Sequence, residues 1–547
     1  MRNRNIILGI LFSTLMVTSS CVKDLDVTPN DPKTILSGNV ADNPEYVKEF
    51  LGKIYASFVI SGQGGSAGDD ITATDGNFFT TLRAMWNCQE ITTDEAMCAW
   101  GDIGIADLNT QTWTSSNPFL TALYQRLGLS ITYANQLIAM TNGNTDPTMM
   151  RYNAEARYLR ALAYTYYMDM FGNPPFTTEA DGVGKFFPKR IKRADLFNYV
   201  VTELKSIESN LPDAGENYPQ ANKAADWMLL ARVYLNSEVY TGTAKYDSCQ
   251  IYAQKVIDSH KYALATDYRQ NFSADNDGYQ NTEMIFGFEQ DGTNTQGYVG
   301  TTFIIESSCD ATYLRAEDVA GLTNNTNWNG NRARRQFMNV LVDTLATYGN
   351  VSVPTNDPTF STCPDKRVYL KMKKSMVIPS PSSSGDYGIG VYKFTARNSD
   401  GTLPATYNAS YACTDFPIFR FADAYLMYAE AVVRGGGDMG TAVNYVNEVR
   451  DRAYQYGNYG SSTVSGRISA AQLTLPFLLN ERGREFYYEA QRRTDLIRFG
   501  QFSNGTYMWD WKGGVANGVA TSKDLDLFPI PSEEVSANPN MKQNPGY

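Results

Sequence analysis

The feature that most narrows the fold is a helical period running through the middle of the chain. Asp146 can cap a helix start, and Pro147 suits its first turn. From there Tyr152, Ala156, Leu159, Ala163, Tyr166 and Met170 recur at spacings of 4, 3, 4, 3 and 4. That spacing puts all six on one face of a helix over about 147–171. Gly172-Asn173-Pro174-Pro175 stops it. A helix over about 118–141 is a candidate partner.

The same plan returns twice. Ala224, Met228, Ala231 and Leu235 form one face, a turn follows at 240–243, and Cys249, Ala253 and Val256 form a second. Later, Phe421, Tyr425, Tyr428 and Val432 precede Gly435-Gly436-Gly437, and Ala442, Val446, Val449 and Ala453 follow. Alanine at the seams lets helices approach closely, and the paired plan resembles degenerate tetratricopeptide units. Another helix is predicted near 475–498, where Glu481, Arg482, Arg484, Glu485, Glu489, Arg492, Arg493 and Asp495 form a solvated or structural ion-pair network. A shorter helix is predicted from Glu45 to about Val59. Residues 262–415 break the pattern: 284–289, 301–306 and 391–396 alternate like strands between Pro/Ser/Gly-rich loops. The expected fold is mostly α, with tetratricopeptide-like helix pairs (about 118–260 and 417–500) forming a scaffold. Loop-rich regions at about 61–117 and 262–415, the latter an insertion with short β-strands, are the expected ligand side.

Composition removes several function classes. Net charge is −11, and Arg2 and Arg4 at the N-terminus leave the remainder more acidic still. Such a chain lacks the basic face a nucleic-acid partner requires. His260 is the sole histidine, so no His-based metal cluster can form. It follows Asp258-Ser259 at a predicted helix end, where a cation complements the dipole. Of seven cysteines, at 21, 88, 98, 249, 309, 363 and 413, none forms a CxxC pair. Apart from Cys21, they can pair or remain free buried thiols. Aromatic residues reach 13%, led by 36 Tyr, which suits packed helix seams or a ligand-stacking surface. No cofactor is implied. Asp275-Asn-Asp-Gly278 could place Asp275 and Asp277 on a structural calcium, although an ordinary Asp/Gly turn is the commoner use of such a run.

The N-terminus reads as an export signal. A short basic region precedes an apolar stretch from Ile6 to Val17, too short to span a bilayer, and Thr18-Ser-Ser-Cys21 follows. Small residues before a cysteine resemble a bacterial lipoprotein signal. The expected organisation is a signal peptide at 1–20, a lipid tether and linker at 21–45 with Cys21 acylated, and a single domain at 46–547. The acidic residues of Val22-Lys-Asp-Leu-Asp26 resemble a surface-export signal, so the expected location is the outer membrane, lipid-anchored and facing outward.

Several segments together resemble the SusD/RagB family of nutrient-binding lipoproteins. They are Glu155-Ala-Arg-Tyr-Leu-Arg-Ala-Leu-Ala163, Met170-Phe-Gly-Asn-Pro-Pro175, Pro417-Ile-Phe-Arg-Phe-Ala-Asp-Ala-Tyr-Leu-Met-Tyr-Ala-Glu-Ala431, Glu481-Arg-Gly-Arg-Glu-Phe-Tyr-Tyr-Glu-Ala-Gln-Arg-Arg-Thr-Asp-Leu-Ile-Arg-Phe-Gly500, Leu527-Phe-Pro-Ile-Pro531 and Gln543-Asn-Pro-Gly-Tyr547. Asn87-Cys-Gln-Glu-Ile-Thr-Thr-Asp-Glu95, Ala99-Trp100 and Tyr507-Met-Trp-Asp-Trp-Lys-Gly-Gly514 resemble its starch-binding branch. The resemblance implies four helix pairs with a loop-rich ligand face. It further implies oligosaccharide capture, and delivery to a SusC-like TonB-dependent outer-membrane transporter. It implies an aromatic arc with an Arg and an Asn as donors. Tyr298 matches the arc tyrosine, Trp328 one arc tryptophan and Arg83 the arginine. The other arc tryptophan falls on Cys98, two residues before Trp100, and the asparagine falls on Ile103, with Asp102 adjacent. The ligand-binding set is therefore expected to be Arg83, Trp100, Tyr298, Trp328, Cys98 and Asp102, with Trp509 and Trp511 structural.

Flat aromatic rings cover the C–H face of a pyranose, polar side chains bind its hydroxyl rim, and a curved arc suits a helical glucan. Other readings are the same family binding another glycan or a peptide, and a glycoside hydrolase. The last would need two carboxylates roughly 5–10 Å apart, for which Glu90, Asp94 and Glu95 lie near Trp100 in sequence. The resemblance supplies no catalytic pair, and the chain is expected not to be an enzyme.

Overall fold

Asn117, Asp146, Asn222 and Asp438 each accept hydrogen bonds from backbone N–H groups in the helical turn that follows them. They thereby satisfy donors that every helix start leaves open. The helices they open are Pro118–Thr141, Pro147–Met170, Lys223–Leu235 and Met439–Tyr454. The computed structural model describes residues 43–62, 70–71, 79–182, 186–278, 281–324, 327–341, 360 and 363–547. The chain divides into Met1–Val47 and Lys48–Tyr547. Cys21, its flanking tether and the glycine-rich stretch at 63–69 lie outside the described residues.

The helices stack as a chain of neighbours. Pro118–Thr141 packs on Pro147–Met170, which packs on Arg193–Ile207; Lys223–Leu235 packs on Tyr246–Asp258, which packs on Phe421–Gly435, which packs on Met439–Tyr454. The seam alanines Ala156, Ala163, Ala224, Ala231, Ala253 and Ala442 are fully buried. The mostly α fold with paired helices is thus as expected.

Tyr246–Asp258 and Phe421–Gly435 touch although the whole 262–415 stretch lies between them in sequence. The chain leaves the helical stack, builds a loop-rich lobe and returns to the next layer. An antiparallel ladder closes that lobe at its base, pairing Met284 with Arg420 and Phe288 with Phe416. The predicted strand at 284–289 is this ladder. The other two strand expectations are corrected. Thr301–Ser308 is a helix; every one of its side chains is buried, and a short run buried on all sides has no periodicity to distinguish helix from strand. Of 391–396, only Val391 is in a strand, Ile389–Val391.

The helix predicted near 475–498 is two helices, Leu475–Phe486 and Arg492–Arg498. Between them Tyr488 and Ala490 adopt positive φ. Side chains replace the lost helical bonds: Trp86 Nε1 donates to the Tyr488 carbonyl at 3.1 Å, Lys393 Nζ to the Tyr487 carbonyl at 2.6 Å, and Glu95 accepts the Tyr488 N–H at 3.1 Å. The charges there are also not solvated. Arg420 holds Glu489 through two bonds of 2.8 Å and reaches Glu283 and Glu485; Arg452 joins Glu283 and Glu485; Arg367 joins Glu481 and Glu485. Every member of this cluster is at most 3% exposed. Ion pairs make it possible to bury these charges, since an unpaired one would be far costlier.

Candidate glycan-binding site

The site is assembled from three separate stretches of chain. Two-residue strands Met97–Cys98 and Asn331–Arg332 pair antiparallel, Met97 opposite Arg332 and Cys98 opposite Asn331. The ladder continues through the Ala99 N–H to the Gly330 carbonyl at 2.9 Å. This register sets Trp100 beside Trp328. The Trp100 indole N–H donates to the Trp328 carbonyl at 3.0 Å, and the rings lie 6.2 Å apart at 51°. A Cβ on Gly330 would stand 2.6 Å from Trp100 Cζ2, so the indole rests directly on that glycine's backbone.

Trp328 sits in a turn whose flanking Asn327 and Asn329 take positive φ, a conformation asparagine tolerates better than most residues. The turn hangs on the end of helix Thr301–Ser308. Trp328, Gly330 and Asn329 donate backbone N–H groups to the carbonyls of Glu306 at 3.1 Å, Ser307 at 2.8 Å and Cys309 at 2.8 Å, filling acceptors that a helix C-terminus leaves open.

Tyr298 lies just before the start of that same helix. Thr80, which caps Thr81–Trp86 by accepting the Arg83 N–H, donates its hydroxyl to the Val299 carbonyl at 3.2 Å. One short helix therefore carries Tyr298 at its start and the Trp328 turn at its end. The Tyr298 and Trp328 rings are 6.1 Å apart at 62°. On the far side of Tyr298, Tyr411 follows at 5.3 Å and 47°. The Tyr411 loop is fixed by Asn408, which donates to the Gly292 carbonyl at 3.0 Å and accepts the Ser410 and Tyr411 N–H groups, and by the Ala412 N–H on Thr302 Oγ1 at 2.9 Å. Trp100, Trp328, Tyr298 and Tyr411 thus form a row of four half-buried rings.

Behind the row, the Arg83 guanidinium lies 4.6 Å from the Phe303 ring and 5.6 Å from the Trp100 ring, and Phe303 meets Trp100 edge-on at 6.0 Å. Glu306 is buried beneath the Trp328 turn and accepts the Asn327 N–H at 2.9 Å. Burial pushes its carboxyl up to about 7, with the Asn327 N–H pulling the other way.

The structure brings Arg83, Trp100, Tyr298 and Trp328 together. Arg83, however, is 3% exposed and supports the rings from behind. Asp102 is exposed in the loop that leaves Trp100, next to Ile103, which is 84% exposed. Cys98 is a correction. It is 1% exposed, its backbone is held by both ends of the Asn109 amide, and burial pushes its thiol up to about 11. An inward-facing, protonated thiol has no access to a ligand.

Sequence reasoning missed Tyr411 and Phe303. The only local signal for Tyr411 was the Asn408-Ala-Ser-Tyr411 turn; Phe303 was read within a strand. The carboxylates weighed for hydrolysis are interior. Asp94 takes two bonds from Arg492, at 2.9 and 2.8 Å, and one from the Tyr507 hydroxyl, while Glu90 and Glu95 are at most 1% exposed. Asp275 accepts the Ser399 N–H and hydroxyl at 2.8 and 2.7 Å, a bond between two loops far apart in sequence, and among the described residues no cluster of three or more His, Cys, Asp or Glu is placed to hold a metal. The described cysteines are all free.

Residues 250–547 match the sequence model of the SusD family. The starch-binding protein SusD of Bacteroides thetaiotaomicron is 34% identical over 576 aligned residues, covering 98% of this chain and 98% of that protein. A SusD-like protein, P2, of Formosa agariphila is 23% identical, covering 81% of this chain and 83% of its own. Among solved structures, surface glycan-binding protein A from Bacteroides fluxus superposes with a TM-score of 0.65 at 19% identity, over 92% of this chain and 100% of that one. The protein of the same name from Bacteroides thetaiotaomicron, in complex with laminarihexaose, gives 0.64 at 19% identity, over 91% and 99%.

Proposed function

The chain belongs to the SusD family, and on that premise we propose that it is a surface glycan-binding lipoprotein. It captures starch-type α-glucan oligosaccharides and delivers them to a TonB-dependent outer-membrane transporter. The observation that carries the reading is the row of half-buried rings, Trp100, Trp328 and Tyr298, each tilted 51° to 62° from its neighbour. Rings set at such angles offer apolar faces to successive pyranoses, and the proposed surface is curved rather than flat. A curved surface follows a helical α-glucan better than an extended chain. The relative at 34% identity is a starch-binding protein, which points to the same ligand class. Arg83 acts here as a positioning residue that holds Trp100 through a cation–π contact, and Asp102 offers a carboxylate at the exposed rim.

The action is capture without chemistry. Glu90, Asp94 and Glu95 are buried in the interior, and the rings are the proposed working surface. Among the described residues no helix is long and apolar enough to cross a membrane, and acylation at Cys21 is the proposed anchor. Delivery to the transporter rests on the family.

Affinity electrophoresis of residues 22–547 through gels containing starch, glycogen, pullulan, dextran, laminarin, levan or xylan tests the ligand. Retardation by the α-glucans, lost in Trp328→Ala, is the expected result. The loss should correspond to about 1–3 kcal/mol, by analogy with bases stacked on aromatic rings. Retardation by laminarin or another polymer alone would move the sugar and keep the family; none by any polymer would overturn the glycan reading.

A further inference from the structure

We infer that Tyr411 is a fourth stacking position and that it makes the site selective for oligosaccharide length, favouring chains of four or more sugars over three. The inference rests on the proposed glycan reading and deepens it. Centroid spacings along Trp100, Trp328, Tyr298 and Tyr411 are 6.2, 6.1 and 5.3 Å. These are comparable to the advance of one pyranose along a chain, so each ring can serve one sugar. The last step is tilted by 47°, close to the first step's 51°. Tyr411 therefore adds one more tilted ring beside Tyr298.

Two further observations set Tyr411 apart from a core tyrosine. It is half-buried, whereas the rings that back the row, such as Phe303, are buried. Its loop is also held by several bonds, one of them to the helix that carries Tyr298 and the Trp328 turn. Asn408 binds the Gly292 carbonyl, the Ala412 N–H binds Thr302, and the Ala409 carbonyl accepts the N–H groups of Thr323 and Asn324 at 3.0 and 3.1 Å. Asn324 is exposed and reaches Ser410 at 3.3 Å, which sets an amide and a hydroxyl beside the Tyr411 end of the row. Such groups match the hydroxyl rim of a terminal sugar. A ligand of three units can satisfy Trp100, Trp328 and Tyr298; only a longer one also covers Tyr411.

The test is isothermal titration of residues 22–547 with maltotriose and maltohexaose, for the wild type, Tyr411→Ala, Tyr411→Phe and Trp328→Ala. In the wild type the hexaose-to-triose affinity ratio should be about tenfold or more, the size of one stacking contact. Tyr411→Ala should compress that ratio below about twofold, while Tyr411→Phe, which keeps the ring, preserves it. Trp328→Ala should weaken both sugars. An unchanged ratio in Tyr411→Ala, with the wild type binding both sugars, overturns the length-selecting role and leaves the glycan reading standing. Equal losses for both sugars in Tyr411→Ala overturn it too, because they would make Tyr411 a support for the central rings. A wild type that binds neither sugar overturns the α-glucan reading and this inference together. Near-UV circular dichroism of each variant separates these results from loss of the fold.

Discussion

At the scale of single residues, the site depends on a glycine as much as on its rings. At Gly330 φ lies outside the left-handed range, so the obstacle to alanine is the Trp100 indole, 2.6 Å at Cζ2 from where a Cβ would stand. Gly330→Ala must push Trp100 off its seat and break the indole bond to the Trp328 carbonyl. Binding should fall by about 1–3 kcal/mol, the worth of one stack, with a smaller change in melting temperature because the displaced ring can move toward solvent. Titration with maltohexaose and a thermal melt of the same sample check this; undiminished binding would show that Trp100 does not contribute. Trp328, Tyr298 and Arg83 were legible through their resemblance to family motifs. Cys98 was not, because equating positions says nothing about which side of a two-residue strand a side chain occupies. Tyr411 was invisible for a different reason. Its nearness to Tyr298 is created by the ladder that joins Met284–Phe288 to Phe416–Arg420, a long-range pairing with no local trace.

At the scale of elements, the caps and 4–3 spacings made the long helices readable, since each is specified within its own sequence. The two-helix outcome at 475–498 was not readable, because Trp86, Glu95 and Lys393 reach in from distant segments to hold the break. The charges packed around it make stability depend on pH from two directions. Glu485, beside Arg452, Arg420 and Arg367, and Asp495, beside Arg482 and Arg498, are held at about 2, against ordinary values of 4.5 and 3.8. Their depressed folded values contribute stability above about pH 4 that is lost as pH falls toward 2. Burial pushes Glu95, Glu155, Glu306 and Asp415 up to about 7. For these the folded state holds its protons more tightly than the unfolded chain, so stability falls as pH rises from about 4.5 to 7. The melting temperature should therefore peak at about pH 4 to 4.5 and decline on both sides. Glu485→Gln should lower the peak, because removing one partner of a buried ion pair costs about 3–5 kcal/mol, and should flatten the acid limb. Calorimetry from pH 2.5 to 8 reads both effects; a melting temperature still rising at pH 8 would contradict the assignment.

At the scale of the whole molecule, three of the four rings, Tyr298, Trp328 and Tyr411, lie on a lobe inserted between two neighbouring layers of a helical stack, and the C-terminal residues lock that stack. Asn544 donates to the carbonyls of Phe171 and Phe528 at 2.9 and 2.7 Å, and Trp113 donates to the Tyr547 hydroxyl at 2.7 Å. The paired helices were legible in the sequence, whereas the way the lobe leaves and rejoins the stack came only from tertiary contacts. A rigid scaffold carrying a preformed ring row suits capture at a surface, provided something keeps the molecule there. The net charge of −11 opposes attachment to an anionic membrane face, and among the described residues no helix is long and apolar enough to cross one. On the proposed reading, acyl chains at Cys21 supply the attachment, at about 0.8 kcal/mol per buried methylene, and stable anchoring takes more than one chain. Cys21→Ser removes the acceptor and leaves the four ring residues unchanged. In cells expressing it, the protein should leave the membrane fraction and lose incorporation of labelled palmitate, while the purified variant is retarded in starch gels as strongly as the wild type. Membrane retention of the serine variant would mean that the attachment lies elsewhere in the chain or in a partner, and the acylated tether would have to be given up.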